Sequence, residues 1–229
     1  MKILALGAHP DDIEIFMYGL VSIYKKEGNQ VFTMIATDGA KGGCQTDELL
    51  IKKRAEEAVA GLKNLSSPIF LNIPDGELGE TPEHKKIIKE NILKVMPDLI
   101  ITHSQHDYHA DHRSLSILTS SAVSHYIPIL YCDTLMGVNF QPNYYIDITD
   151  HFEMKKEAVL RHNSQNPQRF VDLFKLMKTY RAAQCNAPKG KYAEAYSFTS
   201  SFPFSDIRDL LPPSLKLRPF HIDSQNGFL

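Results

Sequence analysis

Short apolar runs alternate with helix-like segments over the first 132 residues of the chain. An apolar run of about four to eight residues predicts a buried strand, whereas apolar positions spaced three or four residues apart predict an amphipathic helix. On this basis we predict strands at residues 1–8, 30–36, 69–72, 99–102 and 129–132. Helices are predicted between them, at residues 13–27, 47–65, 83–95 and 112–125.

The alternation of strands and helices determines the predicted fold class. Strands joined by helices of this length pair in parallel through right-handed crossovers. We therefore predict an α/β fold of Rossmann-like kind, with a mostly parallel sheet and helices on both faces. Two further helices are predicted at residues 151–163 and 168–184, followed by an irregular tail at residues 198–229. Since no repeat or linker-like segment divides the chain, residues 1–229 are expected to form a single domain.

Composition and charge argue against several classes of partner. The chain is 43% hydrophobic and 23% charged, which is typical of a soluble globular protein. A net charge of -2, with no dense run of lysine or arginine, argues against nucleic acid and membranes as partners. The apolar run at the N-terminus is about six residues long, too short for a signal peptide or a membrane span. Three separated cysteines, Cys44, Cys132 and Cys185, suit a reducing compartment, so we expect a cytoplasmic protein.

Two polar clusters directly follow predicted strands. AHPDD, at residues 8–12, follows the first strand, and HSQHDYHADH, at residues 103–112, follows the strand LIIT. In an open parallel sheet, ligands bind beyond the carboxyl ends of the strands. We therefore place the predicted functional site at these two clusters.

The residue types and spacings in the clusters predict a metal site. Catalytic zinc is typically held by about three His, Asp or Glu side chains, with a water in the remaining position. His9 and Asp12 are three residues apart, and His109 and His112 repeat that spacing. The clusters offer more ligands than such a site needs, which leaves Asp11 and one histidine free to carry protons. A single Asp here is often only a helix cap, but capping needs one acceptor and no imidazole.

These residues resemble the PIG-L/LmbE family of zinc-dependent N-deacetylases. The family is marked by an A-H-P-D-D-x-E segment after the first strand and by a later H-x-D-H. The chain has AHPDDIE at residues 8–14 and HADH at residues 109–112. Further similarity covers KKRAEEA around Arg54, LNIPDGEL around Asp75, YIDIT, HNSQ and YAEAY. The resemblance therefore extends over most of the chain.

The resemblance implies a reaction and a set of metal ligands. Zn²⁺ would be bound by His9, Asp12 and His112. It would bring the pKa of a bound water toward neutrality, and Asp11 would take the proton as general base while hydroxide attacks an acetyl carbonyl. The implied activity is removal of the N-acetyl group from an N-acetylglucosamine-type conjugate, with release of acetate and a free amine.

Four more site residues follow from the same resemblance. His109 would be a charged catalytic partner, oriented by Asp111. Arg54 would hold the polar end of the substrate, and Tyr192 would line the site near the acyl oxygen. The leaving amine would take its proton from Asp11 or His109, and the sequence leaves both open. The expected partner is a small N-acetylated sugar conjugate, and a homo-oligomer is expected because relatives include hexamers.

One segment departs from the family pattern. Many relatives carry an arginine or a glutamate in the loop after the second strand, where this chain reads TDGAKGG at residues 37–43. We expect this loop to contribute to the choice of substrate. The substrate of similar proteins therefore cannot be assumed for this chain.

Two alternative functions compete with the deacetylase. A metallo-β-lactamase-like hydrolase has a pattern similar to THSQHDYHADH, but alignment on Asp111 and His112 places Asp107 where that pattern requires a histidine. That fold also opens with strand hairpins rather than with alternating strands and helices. The second alternative is a sugar- or nucleotide-binding module with a structural metal. A glycine-rich turn after the first strand would favour a dinucleotide, but the turn reads HPDD.

Overall fold

A computed structural model describes residues 1–43 and 48–216 of the chain. Within these ranges seven strands form one sheet. Their bounds are β1 Lys2–Gly7, β2 Gln30–Thr37, β3 Ile69–Ile73, β4 Leu99–Thr102, β5 Ile129–Cys132, β6 Tyr144–Asp147 and β7 Ala193–Ser197. The strand order is β3-β2-β1-β4-β5-β7-β6, and β1 to β5 pair in parallel. This confirms the predicted α/β fold with a mostly parallel sheet.

Strands β6 and β7 were not predicted from the sequence. β7 pairs antiparallel with both β5 and β6, so these two strands extend the sheet beyond β5 through antiparallel pairing. They read YYID and AEAYS, short segments that mix acidic, aromatic and small residues. Neither contains an apolar run that would predict a strand, and their place in the sheet depends on pairing with distant residues.

In the described part of the chain, six α-helices pack against the sheet. Their bounds are α1 Tyr18–Lys26, α2 Glu48–Leu62, α3 Pro82–Val95, α4 Ala110–Val123, α5 Phe152–Val159 and α6 Pro167–Gln184. The predicted helix at residues 13–27 consists of two segments, a π-helical segment at Ile13–Met17 and then α1. The predicted helix at residues 151–163 is also shorter than expected, because 3-10 turns lie on either side of α5.

Side chains of β1 alternate between two apolar cores. Ile3 belongs to the core that contains Leu20 of α1, whereas Leu4 belongs to the opposite core, which contains Ile88 of α3. Successive residues of a strand point to opposite faces of a sheet. The two cores therefore confirm that helices cover both faces.

The strand order brings the two polar clusters together. β1 and β4 are adjacent and parallel, so the loops that follow them leave the same edge of the sheet. The hydroxyl of Thr102 donates a hydrogen bond to the carbonyl oxygen of Leu6 at 2.9 Å. The backbone N–H of Ala8 then donates to Nε2 of His103 at 3.2 Å. These hydrogen bonds join the ends of the two strands where the predicted site begins.

A fully buried ion pair connects β7 to α5, and its carboxylate also contacts the start of α1. Nζ of Lys155 lies 2.8 Å from Oε1 of Glu194, and neither side chain is exposed. The Glu194 carboxylate also accepts hydrogen bonds from the backbone N–H groups of Gly19 at 3.0 Å and Leu20 at 2.8 Å. N–H groups in the first turn of a helix lack partners within that helix. Glu194 therefore fixes the start of the helix that follows the first polar cluster.

Three other predictions concern the cysteines, the C-terminal segment and membranes. Cys132 is buried and Cys185 is half-buried, both as free thiols, while Cys44 lies outside the described residues. Residues 198–216 contain one 3-10 turn, and residues 217–229 of the predicted tail also lie outside the described ranges. Among the described helices, none has both the length and the apolar character needed to span a bilayer.

Candidate active site

The carboxylate of Asp12 lies at the centre of the polar cluster. Its Oδ2 accepts a hydrogen bond from the backbone N–H of His9 at 2.7 Å and lies 3.2 Å from Nδ1 of the same residue. Oδ2 is also 3.1 Å from Nε2 of His103, and Oδ1 is 3.3 Å from Nε2 of His112. The structure thus brings together the three predicted metal ligands, His9, Asp12 and His112.

Two further carboxylates contact His9 on its other side. Nε2 of His9 is 3.1 Å from Oδ2 of Asp111 and 3.3 Å from Oδ1 of Asp75. The backbone N–H of Gly76 also donates to Oδ2 of Asp111 at 2.9 Å. The expectation that Asp111 orients His109 is therefore corrected, because Asp111 contacts His9 instead. Residues two apart at the start of a helix do not face each other, which is why sequence proximity was misleading.

Asp107 supports the second polar cluster. Its Oδ2 lies 3.0 Å from Nδ1 of His112, and its Oδ1 accepts a hydrogen bond from the backbone N–H of His109 at 2.9 Å. The ring of His109 stacks on His112, with centroids 4.6 Å apart, and meets the edge of His9 at 4.8 Å. His109 is exposed, whereas His9 and His112 are buried. Asp107 therefore fixes His112, and His109 lies where an incoming molecule reaches it.

The buried charges determine the protonation of the cluster. Burial alone would raise the pKa of Asp12, but the charges of His112 and His9 and the hydrogen bond from His103 hold it well below its usual range. Burial alone would lower the pKa of His112, yet Asp12 and Asp107 raise it to about 9. Burial lowers the pKa of His103 to about 4, so this histidine is neutral. Because metal ligands bind as neutral imidazole or carboxylate, a cation would compete with protons here.

The donor atoms of the cluster fit a metal ion. Among the described residues, three groups have ligand atoms within 4.8 Å of one another. The groups are His9, His109 and His112; Asp12, His103 and His112; and His9, Asp75 and Asp111. Imidazole nitrogen and carboxylate oxygen are common zinc ligands, and a ligating histidine usually has a carboxylate on its second nitrogen. His112, with Asp12 at Nε2 and Asp107 at Nδ1, has that arrangement.

Asp11 lies in the same loop but pairs with an arginine. Its Oδ2 is 3.4 Å from Nη2 of Arg54, and Nη2 also donates to the carbonyl oxygen of Pro10 at 3.2 Å. Nη1 of Arg54 donates to the carbonyl oxygen of Gly39 at 2.7 Å. Burial raises the pKa of Asp11 to about 6, although the charge of Arg54 opposes this shift. The backbone φ of Asp11 is 151°, which is uncommon for residues other than glycine and is often found at functional sites. Arg54 thus holds Asp11 in place, and its predicted contact with substrate stays a prediction.

The structure does not place Tyr192 at the cluster. Its ring stacks on Phe152, with centroids 3.7 Å apart, and its backbone N–H donates to Oγ1 of Thr149 at 3.1 Å. It lies just before β7, packs against an apolar core and is not among the described residues that line the cavity at the cluster. The expectation that Tyr192 lines the site is therefore corrected. Its aromatic ring serves packing instead.

An open cavity of about 410 Å³ leads to the cluster. Its size falls within the range of small-molecule sites, roughly 300–1,000 Å³. The predicted site residues in its wall are His9, Asp11, Asp12, Arg54, His109 and His112. Its apolar wall includes Ile15, Phe16, Leu135, Phe170 and Leu173. The cavity can therefore accept a small molecule with both polar and apolar surface.

Several residues of the site had no assigned role in the sequence analysis. His103 and Asp107 lie within the second polar cluster, and its density of ionisable residues was the signal for them. Asp75 was noted only as part of a family-like segment. Lys41 and Arg169 also line the cavity. Lys41 was noted only as part of the loop expected to affect substrate choice, and no motif marked Arg169. Their position depends on how distant loops meet, which spacing along the chain does not reveal.

Comparison with known proteins gives one family. The model of the PIG-L family, described as GlcNAc-PI de-N-acetylase, matches residues 4–123. A diacetylchitobiose deacetylase from Thermococcus kodakarensis is 29% identical over 204 residues, which cover 78% of this chain and 74% of the relative. The range matched by the family model, residues 4–123, includes both polar clusters.

Two solved structures share the fold. The N,N'-diacetylchitobiose deacetylase from Pyrococcus horikoshii superimposes with a TM-score of 0.75 at 24% identity, covering 92% of this chain and 88% of that one. The 4-carboxy-2-hydroxymuconate hydratase from Pseudomonas putida gives a TM-score of 0.77 at 18% identity, covering 90% and 99%. Proteins named for two different reactions therefore share this architecture.

Proposed function

Because the chain belongs to the PIG-L family, we propose that it is a zinc-dependent N-deacetylase. The substrate would be an N-acetylglucosamine-type conjugate, and the products would be acetate and a free amine. The observation that carries this proposal is the cluster of His9, Asp12 and His112 at a cavity that also exposes Asp11. A relative named as a diacetylchitobiose deacetylase supports the same reaction class.

Three residues would hold the metal. His9, Asp12 and His112 supply two imidazoles and one carboxylate, a donor set that suits Zn²⁺. When bound, zinc would polarise the acyl carbonyl and make water more acidic. Asp107 would keep Nε2 of His112 free to act as a ligand, because it occupies Nδ1 of that ring. Asp111 and Asp75 would orient His9 in the same way.

Asp11 would act as the general base. Its carboxylate lines the cavity without contacting the histidine cluster, so it can accept a proton from water. Arg54 fixes the loop that carries Asp11, which keeps the base in a single position. The leaving amine would then take a proton from Asp11 or from His109, whose exposed ring also lines the cavity. Burial and the charges of His112 and His9 lower the pKa of His109, which disfavours the charged form expected from the sequence. A donor N–H of His109 would stabilise the developing negative charge on the acyl oxygen.

A screen of N-acetylated sugar conjugates for free amine, with and without added Zn²⁺, tests this proposal. We expect zinc-dependent release of amine and acetate in equal amounts from at least one conjugate. The panel should include diacetylchitobiose and simple N-acetylglucosamine glycosides. Stoichiometric zinc without any release of acetate would instead favour a binding module with a structural metal. Turnover of an unsaturated carboxylic acid by addition of water would favour the hydratase reaction for which one structural neighbour is named.

We also propose that the protein acts in the cytoplasm on a small molecule and forms a homo-oligomer. These proposals follow from the cysteine usage and the family resemblance. Light scattering of the purified protein measures the oligomeric state. A monomeric mass would contradict that part of the proposal without affecting the proposed reaction.

A further inference from the structure

The basic side chains in the cavity wall differ in whether they pair with a carboxylate. Besides its histidines, the wall contains three acids, Asp11, Asp12 and Asp75, and three bases, Lys41, Arg54 and Arg169. Asp11 pairs with Arg54, and Asp12 and Asp75 contact histidines. Lys41 and Arg169, in contrast, form no ion pair with any carboxylate of residues 1–43 and 48–216. Two positive charges at the cavity are therefore left for a ligand.

The backbone of Lys41 is fixed although its charged end is free. Lys41 lies in the loop after β2. Its backbone N–H donates to Oδ2 of Asp75 at 2.9 Å. Oδ1 of Asp38 accepts from the N–H groups of Ala40 at 2.9 Å and Asp75 at 3.1 Å. A Cβ at Gly76 would lie 2.5 Å from Nζ of Lys41, so the ammonium rests against that turn. The loop thus holds the lysine beside the carboxylates that orient the metal cluster.

Arg169 approaches the same cavity from the start of α6. Its guanidinium lies 4.5 Å from the centroid of the Phe170 ring, and this stacking leaves the N–H groups at its edge free to donate. Nε2 of Gln165 donates a hydrogen bond to the carbonyl oxygen of Gly42 at 3.0 Å. That bond joins the segment of Arg169 to the loop of Lys41. The two cations are therefore presented by connected parts of the cavity wall.

We propose that Lys41 and Arg169 bind an acidic group, a carboxylate or a phosphate, on the part of the substrate attached to the amino sugar. This proposal rests on the deacetylase function proposed above. Both side chains form strong charge-assisted hydrogen bonds with such oxygens, and guanidinium does so with two parallel bonds. The N-acetyl group would lie at the metal cluster and the acid group at these cations. The protein would accordingly prefer acidic conjugates to neutral ones.

Three glycosides of N-acetylglucosamine that differ only in one end group test the preference. Their aglycones are 2-carboxyethyl, 2-phosphoethyl and the neutral 2-carbamoylethyl. Release of free amine by the zinc-loaded protein gives kcat/KM for each glycoside. We expect the better acidic glycoside to exceed the amide by about tenfold or more, and this ratio to fall as salt increases. The two acidic probes distinguish a carboxylate site from a phosphate site.

Substitutions connect the preference to the two residues. Lys41→Gln and Arg169→Gln should each lower the ratio of acidic to neutral kcat/KM by roughly tenfold or to near one. The matched control is Lys175→Gln, which removes an exposed cation of α6 outside the cavity and should keep the wild-type ratio. Equal kcat/KM for all three glycosides, or an unchanged ratio in both variants, would overturn anion binding and leave the deacetylase function intact.

A binding measurement separates failure of this proposal from failure of the proposed function. If no glycoside releases amine, calorimetry with the 2-carboxyethyl and 2-phosphoethyl glucosaminides, which lack the acetyl group, still probes the cations. Binding that weakens about tenfold in Lys41→Gln would support the acid site and count against the deacetylase function alone. No binding of either acidic glucosaminide would overturn the acid site.

Discussion

Replacing Asp107 with asparagine tests how the protein holds His112 for metal binding. Oδ2 of Asp107 lies 3.0 Å from Nδ1 of His112, and the two side chains are only 1% and 6% exposed. The carboxylate holds the proton of the ring on Nδ1 and leaves Nε2 as the ligand atom. An asparagine amide presents a donor at the same place and favours the opposite tautomer. Oδ1 of the asparagine still accepts the hydrogen bond from the backbone of His109.

Loss of a carboxylate that orients a histidine ligand typically weakens metal binding by about 10- to 100-fold. That range corresponds to roughly 1.4 to 2.7 kcal/mol, because each factor of ten is about 1.4 kcal/mol. We expect the upper part of the range for Asp107→Asn, since the pair is almost completely buried and solvent cannot replace the lost contact. Competition with a zinc chelator, followed at neutral pH, gives the Kd for zinc of each variant.

Two further variants set the scale of this experiment. His112→Ala removes the ligand itself and should lose more affinity than Asp107→Asn. Asp98→Asn changes an exposed carboxylate that caps the backbone N–H of Lys2, far from the metal cluster, and should bind zinc like the wild type. A Kd for Asp107→Asn within twofold of the wild type, with the fold intact by circular dichroism, would refute the orienting role.

Three more predictions follow from the described contacts. Asp11→Asn should keep bound zinc but lower kcat by about 100-fold or more, and turnover near the wild-type level with full zinc would show that Asp11 is not the base. Lys155→Met should reduce the free energy of unfolding in urea by about 3–5 kcal/mol, because it leaves the buried Glu194 carboxylate without its cation; a change below about 1 kcal/mol would contradict the buried pair. Burial alone would lower the pKa of His162, but Glu14, at 2.8 Å, together with the charges of Asp11 and Glu57, raises it. The pair of His162 with Glu14 therefore stabilises the fold fully below about pH 6.5, and this stabilisation is lost as pH rises through the raised pKa. The difference in free energy of unfolding between the metal-free wild type and His162→Gln should accordingly shrink from pH 6 to pH 9. A constant difference would count against the pair.

The parallel part of the fold was predictable because its strands are short apolar runs, most of them buried. LIIT and ILYC, in β4 and β5, are marked by their own residues, since both faces of a parallel sheet are covered. β7 contains Glu194 and is recognisable only once Lys155 and the start of α1 are placed beside it. The hydrophobic spacing after Asp12 likewise predicted a helix at residues 13–27 but did not distinguish the π-helical segment Ile13–Met17 from the α-helix that follows.

The candidate site was predictable in part for a similar reason. His9 and Asp12 lie close in sequence at a strand end, so their proximity follows from local geometry. The partner of Asp111 did not follow, because His9 is more than a hundred residues away and a nearer histidine seemed to suit it. The role of Tyr192 rested on resemblance alone, and its stacking on Phe152 depends on packing that no motif encodes.

The most direct test of the central claim is a zinc titration of the metal-stripped protein in which the rate of acetate release from an N-acetylglucosamine conjugate is measured at each zinc concentration. The proposed mechanism predicts negligible release without metal and a rate that rises to a plateau at about one equivalent of zinc. The same rate in stripped and zinc-loaded protein would contradict the role assigned to His9, Asp12 and His112. No release at full zinc occupancy from any conjugate in the panel would contradict the deacetylase itself.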